Sequence, residues 1–234
     1  MLPDFEFSCS KFKEYGLELN RESYELLDIY AEYLFEYNKS VNLTAITEPE
    51  DILIKHFLDS ILLAKYVDIP QNSSIIDVGT GAGFPSVPLL IYCRDIKLTL
   101  LDSLNKRIVF LQNLCEKLGL SAEFVHGRAE DIAKMPDYRE KYDYSCARAV
   151  ANMSLLSEFC LPFVKVGGSF LAMKGPSEDV SVGDNAISLL GGKTADVSEY
   201  QIEGEQRRII TVSKISQTPS KYPRNSSQIK KKAL

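Results

Sequence analysis

Apolar residues recur at three- and four-residue steps through the first third of the chain and in short β-branched runs after it. Asn20 is a side chain suited to cap a helix. Beyond it Tyr24, Leu27, Tyr30, Ala31 and Leu34 fall on one helical face, predicting a helix to about Tyr37. Thr47-Glu48-Pro49-Glu50 has the form of a capping box with proline in the first turn, and predicts a second helix through Ile52 to about Tyr66. Pro70 and Asn72 close this helical unit of residues 1–70. From Ser74 the pattern predicts strands at 74–78, 97–101, 122–126, 142–147, 168–173 and 207–215. Between them lie an amphipathic helix over 104–118, stopped by Gly119, and another over 153–163. Alternating strands and helices give an α/β fold with a parallel sheet over residues 71–218. The polar segment 219–234, with Pro219, Pro223 and Asn225, is expected to be an irregular or mobile tail.

The composition, 45% hydrophobic and 25% charged over 234 residues, is that of a globular chain with a sizeable core. Its net charge of -5 argues against indiscriminate coating of nucleic acid, but the charge is unevenly spread. Residues 206–234 hold eight of the 27 basic side chains and no acidic one, leaving 19 against 32, or -13, on the rest. The N-terminus lacks an apolar run behind a basic start and does not read as a signal peptide. No stretch approaches the roughly 18 apolar residues of a membrane span, so no membrane partner is expected. Cys9, Cys93, Cys115, Cys146 and Cys160 are scattered without a C-x-x-C pair, so neither a disulfide framework nor a metal site is indicated, and a reducing cytoplasm is the expected compartment.

The chemistry is concentrated where the first strand runs into Asp77-Val-Gly79-Thr-Gly81-Ala-Gly83-Phe84-Pro and then into an apolar helix. Glycine at alternate positions allows positive φ and lets the backbone approach a ligand. A dinucleotide fingerprint needs glycine at position 84, and Phe84 stands there. The G-x-G-x-G spacing, followed by a second strand ending in Asp102, resembles instead the donor site of class I S-adenosylmethionine-dependent methyltransferases. There Asp102 is placed to accept the ribose hydroxyls, or alternatively to cap the helix near Leu104. Ala129 and Glu130, after the third strand, are placed to contact the adenine, with Asp131 as the alternative. Arg148 ends the fourth strand, where open α/β sheets bind ligands, and would hold either the methionine carboxylate or an RNA phosphate; a plain salt bridge to Asp77 or Asp102 is the competing reading. His56 is read as orienting RNA or the N-terminal helix, or as a structural histidine; His126 is read as structural.

Taken in order, Asn42-Leu-Thr44-Ala-Ile46, His56-Phe-Leu-Asp59-Ser60, the glycine loop, Leu101-Asp-Ser103 with Lys106-Arg107, Ala147-Arg148-Ala149, Met173-Lys174-Gly175 and Lys221-Tyr-Pro-Arg224 resemble the bacterial 16S ribosomal RNA guanine-N7 methyltransferase family (RsmG, or GidB). The likeness runs from about Tyr37 to the C-terminus. Two positions depart from the family pattern: Ser86 replaces a glycine, and Asn225-Ser-Ser-Gln228-Ile stands where Gly-x-Pro is usual. The resemblance implies a class I methyltransferase sheet, mostly parallel with an antiparallel last strand, behind an N-terminal helical extension. It implies S-adenosylmethionine as cofactor, held at Gly79, Gly81, Gly83, Phe84, Asp102, Ala129, Glu130 and Arg148. The implied partner is 16S ribosomal RNA or the small-subunit particle, met by Lys174, Arg207, Arg208, Lys221, Arg224, Lys230, Lys231 and Lys232. A monomer is expected. Because guanine N7 carries an exposed lone pair, no general base is needed, and the acceptor pocket should hold no unpaired cation.

Overall fold

The computed structural model describes residues 1–148, 151–176 and 180–234, the side chains of Val180 and Lys230 excepted. Ala149 of the Ala147-Arg148-Ala149 motif and the Lys230 side chain thus lie outside the described residues. Helix α1 (Phe5–Glu14) starts where the Asp4 carboxylate accepts the Phe7 amide at 2.9 Å. Helix α2 (Arg21–Val41) starts as expected at Asn20, whose side chain accepts the Ser23 amide at 2.7 Å. Its apolar face, Leu27, Tyr30, Ala31 and Leu34, is fully buried.

The second predicted helix is more complex than its sequence suggests. It is built from α3 (Pro49–Asp51), a π-helical stretch (Ile52–Leu58) and α4 (Asp59–Tyr66). The N-cap is Glu48, which makes no side-chain capping bond, so the expected Thr47 box does not form. Proline in the first turn, which brings no amide hydrogen to satisfy, starts the helix without one. π-Helical turns are rare and concentrate at functional sites. Here the wide turn lets His56 and Asp59 reach the same guanidinium, that of Arg148.

The sheet follows: β1 (Ser74–Val78), α5 (Ser86–Tyr92), β2 (Lys97–Asp102), α6 (Asn105–Leu118), β3 (Glu123–His126), α7 (Ala129–Ile132), β4 (Tyr142–Arg148), α8 (Met153–Cys160), β5 (Val164–Lys174), α9 (Asp184–Leu189), β6 (Gly192–Ile202) and β7 (Glu205–Lys214). The strand order is β3-β2-β1-β4-β5-β7-β6. The first five strands are parallel, and β7 runs antiparallel to both β5 and β6. Alternate strand residues face opposite ways. Ile75, Leu98, Leu100, Leu171 and Met173 join the core formed with α2, α4, α5 and α6. Ile76, Val78, Leu101, Phe170 and Ala172 join the core under α8 and α9. The N-terminal helices therefore cover one face of the sheet, α2 resting on α5 and α6 and α4 on α5.

Strand β6 was not anticipated. It is the outermost strand, and of its eleven residues only Gly192, Tyr200 and Ile202 are buried, too few to leave an alternating apolar signature. The C-terminal segment is irregular up to Asn225, as expected, but it is pinned to the body and ends in a helix. Arg224 forms a two-armed ion pair with the fully buried Glu158, Nε to Oε1 2.9 Å and Nη2 to Oε2 2.6 Å. Arg139 donates to the Thr218 and Tyr222 carbonyls at 2.8 and 2.9 Å. A short helix α10 (Ser226–Lys231) then opens with a complete capping box between Asn225 and Gln228. The residues that replace the family's Gly-x-Pro thus start a helix.

Removing one member of a buried ion pair strands its partner in a poorly solvated place. Arg224→Ala is expected to lower unfolding stability by about 3 kcal/mol and to expose residues 219–234 to protease. Urea denaturation and limited proteolysis with intact-mass readout check both.

Candidate active site

The site begins at the carboxyl end of β1. Gly79 and Thr80 donate their amides to the Leu101 carbonyl at 2.9 and 3.1 Å, locking the loop onto β2. Asp77 below it is fully buried, accepts from the Thr80 hydroxyl at 2.8 Å and has its other oxygen unpartnered. Burial raises its pKa from 3.8 to about 7. Gly81 has φ +63°, and a Cβ there would meet only the Gly79 carbonyl at 3.9 Å, so its free side opens outward. Gly83 is different. A Cβ there would lie 2.8–2.9 Å from Val87, Leu111 and Tyr30, so this glycine serves packing.

Asp102 ends β2, nearly buried, with one oxygen accepting the Gly81 amide at 3.0 Å and the other the Leu104 amide at 2.9 Å. Arg107 of α6 reaches the same carboxylate at 3.2 Å. Two adjoining cavities share Gly79, Asp102 and Ser103. The larger, about 420 Å³, is lined by the glycine loop, Leu43, Thr44, His56, Phe84, Arg107 and Arg148. The smaller, about 120 Å³, is bounded by Gly127, Ala129 and Phe159. Glu130 is buried, accepting a hydrogen bond from Ser226 of the tail and lying 3.8 Å from Arg128.

Arg148, on β4, lines the larger cavity across β1 from Asp102 on β2. Its partner is Asp59, at 3.1 Å, rather than the Asp77 or Asp102 of the competing reading. It also donates to His56 Nδ1 at 3.0 Å and lies 4.8 Å from the centre of the Phe84 ring. Because Nδ1 accepts, Nε2 carries the imidazole hydrogen and donates to Thr44 Oγ1 at 2.7 Å. Burial and then the adjacent Arg148 push His56 from 6.5 down to about 3. Its ring stacks on Phe84 at 4.3 Å. The Tyr200 hydroxyl donates to the remaining oxygen of Asp59 at 2.7 Å, completing a chain from β6 through Asp59, Arg148 and His56 to Thr44.

Beyond this chain lies another cavity, about 520 Å³, which shares His56 and Arg148 with the first. Lys174 and Arg207, from the RNA set, line it together with Asp59, Tyr200 and Met173. Lys174 is buried and donates to the Ala151 carbonyl. The remaining basic side chains separate into two groups. Arg207, Arg208 and Arg224 pair with Glu205, Glu199 and Glu158, whereas Lys221, Lys231 and Lys232 are exposed. His126 is exposed, with Nε2 3.2 Å from the Ser103 carbonyl. Thr44, Asp59, Arg107 and Tyr200 had no assigned role in the sequence. The first three lie within or beside its noted motifs, but Tyr200 sits on the strand that left no signature.

The family model for "GidB: rRNA small subunit methyltransferase G" matches residues 23–210. The chain belongs to this family. Proteins named Ribosomal RNA small subunit methyltransferase G are 47% identical in Clostridium botulinum, over 98% of both chains, and 45% identical in Alkaliphilus metalliredigens, over 95% of both. The fold resembles TrmN from Thermus thermophilus, with TM-score 0.54 and 16% identity over 68% of this chain and 48% of that one. It also resembles M. jannaschii TYW2, solved in complex with AdoMet, with TM-score 0.54 and 13% identity over 67% and 77%. As a member of the methyltransferase G family the chain is a methyltransferase, and S-adenosylmethionine is its cofactor. Among the described residues no helix is long and apolar enough to cross a membrane, and no group of three or more His, Cys, Asp or Glu side chains is placed to hold a metal ion.

Gly81→Val is expected to abolish S-adenosylmethionine binding, because the added branch projects into the cavity, with a modest loss of stability, because a β-branched residue is strained at φ +63°. Gly83→Val should instead lower thermal stability sharply. Calorimetric titration and thermal melts separate the two. His56 yields a pH prediction. A folded-state pKa below the unfolded value gives stability that is complete above pH 6.5 and is lost as pH falls toward 3. The stability advantage of wild type over His56→Gln should therefore shrink by up to about 1.4 kcal/mol per pH unit below 6.5, measured by urea unfolding at stepped pH.

Proposed function

We propose that this S-adenosylmethionine-dependent rRNA methyltransferase delivers its methyl group to N7 of a guanine in 16S ribosomal RNA. The observation that carries the reading is the pair of cavities on either side of the Arg148–His56 wall. The glycine-loop cavity takes the donor. Its open Gly81 face, its Asp102 carboxylate and the adjoining recess at Ala129 suit an extended ligand with a ribose and a base, and its volume is in the usual range for small-molecule sites. Asp102 holds the ribose hydroxyls, Ala129 and Glu130 border the adenine, and Arg148 stands at the methionine end. For Glu130 to turn its side chain to the base, its bond from Ser226 must yield.

When bound, S-adenosylmethionine supplies a sulfonium methyl that passes to N7 as the S–C electron pair returns to sulfur, so positive charge moves from donor to base. The chain's own work is to hold the acceptor in line and to keep its surroundings from opposing that charge. His56 is neutral at physiological pH, and of the cations lining the second cavity Arg148, Lys55 and Arg207 are matched by Asp59, Asp51 and Glu205 at 3.1, 2.8 and 2.6 Å. The guanine enters this second cavity unstacked. Lys221, Lys231 and Lys232 provide the exposed charge that meets phosphate.

Asp102→Ala should weaken donor binding by about 1–3 kcal/mol, read by titration calorimetry. With small-subunit RNA or particles, labelled donor should mark one guanine at N7, located by cleavage at the methylated base; label only on protein or another base overturns the reading. Replacing Lys221, Lys231 and Lys232 together by serine should weaken RNA binding and lower its salt dependence without changing donor affinity.

A further inference from the structure

We infer that Asp59 is an electrostatic positioning residue: by neutralising Arg148 it keeps the wall between the two cavities free of net charge, so that the positive donor can bind against it and positive charge can develop on the acceptor. The inference rests on the donor-site reading above and extends it to a residue that does not line the donor cavity at all.

Charge around the wall is unevenly supplied. Among the described residues lining the second cavity Asp59 is the sole carboxylate, and in the larger donor cavity Asp102 is, across β1 from Arg148. Lys55 and Arg207 find their partners, Asp51 and Glu205, outside both linings. Among the described residues Arg148 has no other carboxylate within ion-pair distance than Asp59. The other groups around its guanidinium are neutral: the Lys55 carbonyl at 3.3 Å, the Ser60 hydroxyl at 3.4 Å, the His56 imidazole and the Phe84 ring. Asp59 and Arg148 are 7% and 15% exposed, so solvent and salt screen the pair weakly.

Stability alone does not account for such a pair, because a buried ion pair can often be replaced by apolar residues without loss. Position does account for it. Arg148 faces both cavities, and a ligand running from Asp102 toward Arg148 brings its methionine end, with the sulfonium, toward this cation. Left unpaired, the guanidinium would repel the sulfonium before transfer and the methylated base after it. Tyr200 fixes the carboxylate from its other side, and the π turn brings Asp59 into register with Arg148.

The test exploits the charge difference between S-adenosylmethionine, a sulfonium cation, and S-adenosylhomocysteine, a neutral thioether otherwise alike. Both affinities are measured by calorimetry on the full-length wild type, Asp59→Asn, Arg148→Gln and the double variant, each with a thermal melt. Asp59→Asn keeps the shape and leaves the cation, and should weaken S-adenosylmethionine relative to S-adenosylhomocysteine by at least about tenfold, the effect of an unbalanced charge about 12 Å away at an effective dielectric of about 20. Arg148→Gln leaves the anion and should shift the ratio in the opposite direction. The double variant should return it toward wild type. If Asp59→Asn does not fold, the reversed shift in Arg148→Gln and its cancellation in the double variant still decide. Affinities that fall together with the ratio unchanged would reduce the pair to a structural role and overturn the inference. Wild-type protein that binds neither ligand would overturn the donor-site reading, and the inference with it.

Discussion

Arg148 carries a full positive charge to the end of the central strand β4, into a place where only 15% of its side chain meets solvent. A charge there is tolerable only if a counter-charge and hydrogen-bond acceptors surround it. The chain provides them from three separate stretches of sequence. The π turn brings Asp59 and His56, the glycine loop brings the face of Phe84, and β6 brings Tyr200 to hold Asp59. Each depends on the others. Without Asp59 the guanidinium is unmatched, and without the guanidinium His56 loses the donor that fixes its tautomer and, through it, the bond to Thr44.

That dependence makes the N-terminal helices part of the candidate site. Asn38 on α2 accepts the Leu43 and Thr44 amides at 2.6 and 3.0 Å and so shapes the loop that lines the larger glycine-loop cavity. Tyr30, fully buried on the same helix, donates to the Ala82 carbonyl inside the glycine loop. Across the sheet the C-terminal segment plays a comparable part. Arg224 on Glu158 and Ser226 on Glu130 bind it against the elements that border the small recess at Ala129. Both ends of the chain thus close on the site from opposite faces of one sheet.

How far these features are legible in sequence follows from how local their causes are. The glycine loop, Asp102 at the end of β2 and the α6 stop at Gly119 are set by residues within a few positions of one another, and all stand where the pattern puts them. The Thr47 box is local too, yet the chain starts its helix one residue later, because proline in the first turn removes the need for a side-chain cap. Features with distant partners are not legible. Asp59 and Arg148 are 89 positions apart, and Tyr200 and Asp59 are 141 apart. Nothing near Arg148 in sequence marks Asp59 over Asp77 or Asp102 as its partner. The pinning of the tail is illegible for the same reason. Glu158 lies 66 positions before Arg224, inside an apolar helix where a carboxylate gives no hint of its counter-ion.

The long-range pairs also revise the meaning of the charge asymmetry. Eight basic side chains and no acidic one stand after residue 205. Four of them, Arg207, Arg208, Lys214 and Arg224, face Glu205, Glu199, Glu140 and Glu158 at 2.6, 2.8, 3.2 and 2.6 Å. Lys214 is wholly buried, and burial lowers its pKa to about 8. Lys214 and Arg224 hold the end of the last strand and the tail to the body, Arg208 ties β7 to β6, and Arg207 pairs within its own strand. Among the described side chains, exposed charge is left to Lys221, Lys231 and Lys232, on the segment latched beside the recess at Ala129. A few exposed cations on an acidic body attract phosphate weakly and only nearby, since repulsion from the rest of the surface grows as more RNA is covered. On the function proposed above, affinity built this way comes largely from the fit of one structured RNA site, and the neutral wall at Arg148 lets the reacting base approach without adding another cation to its path.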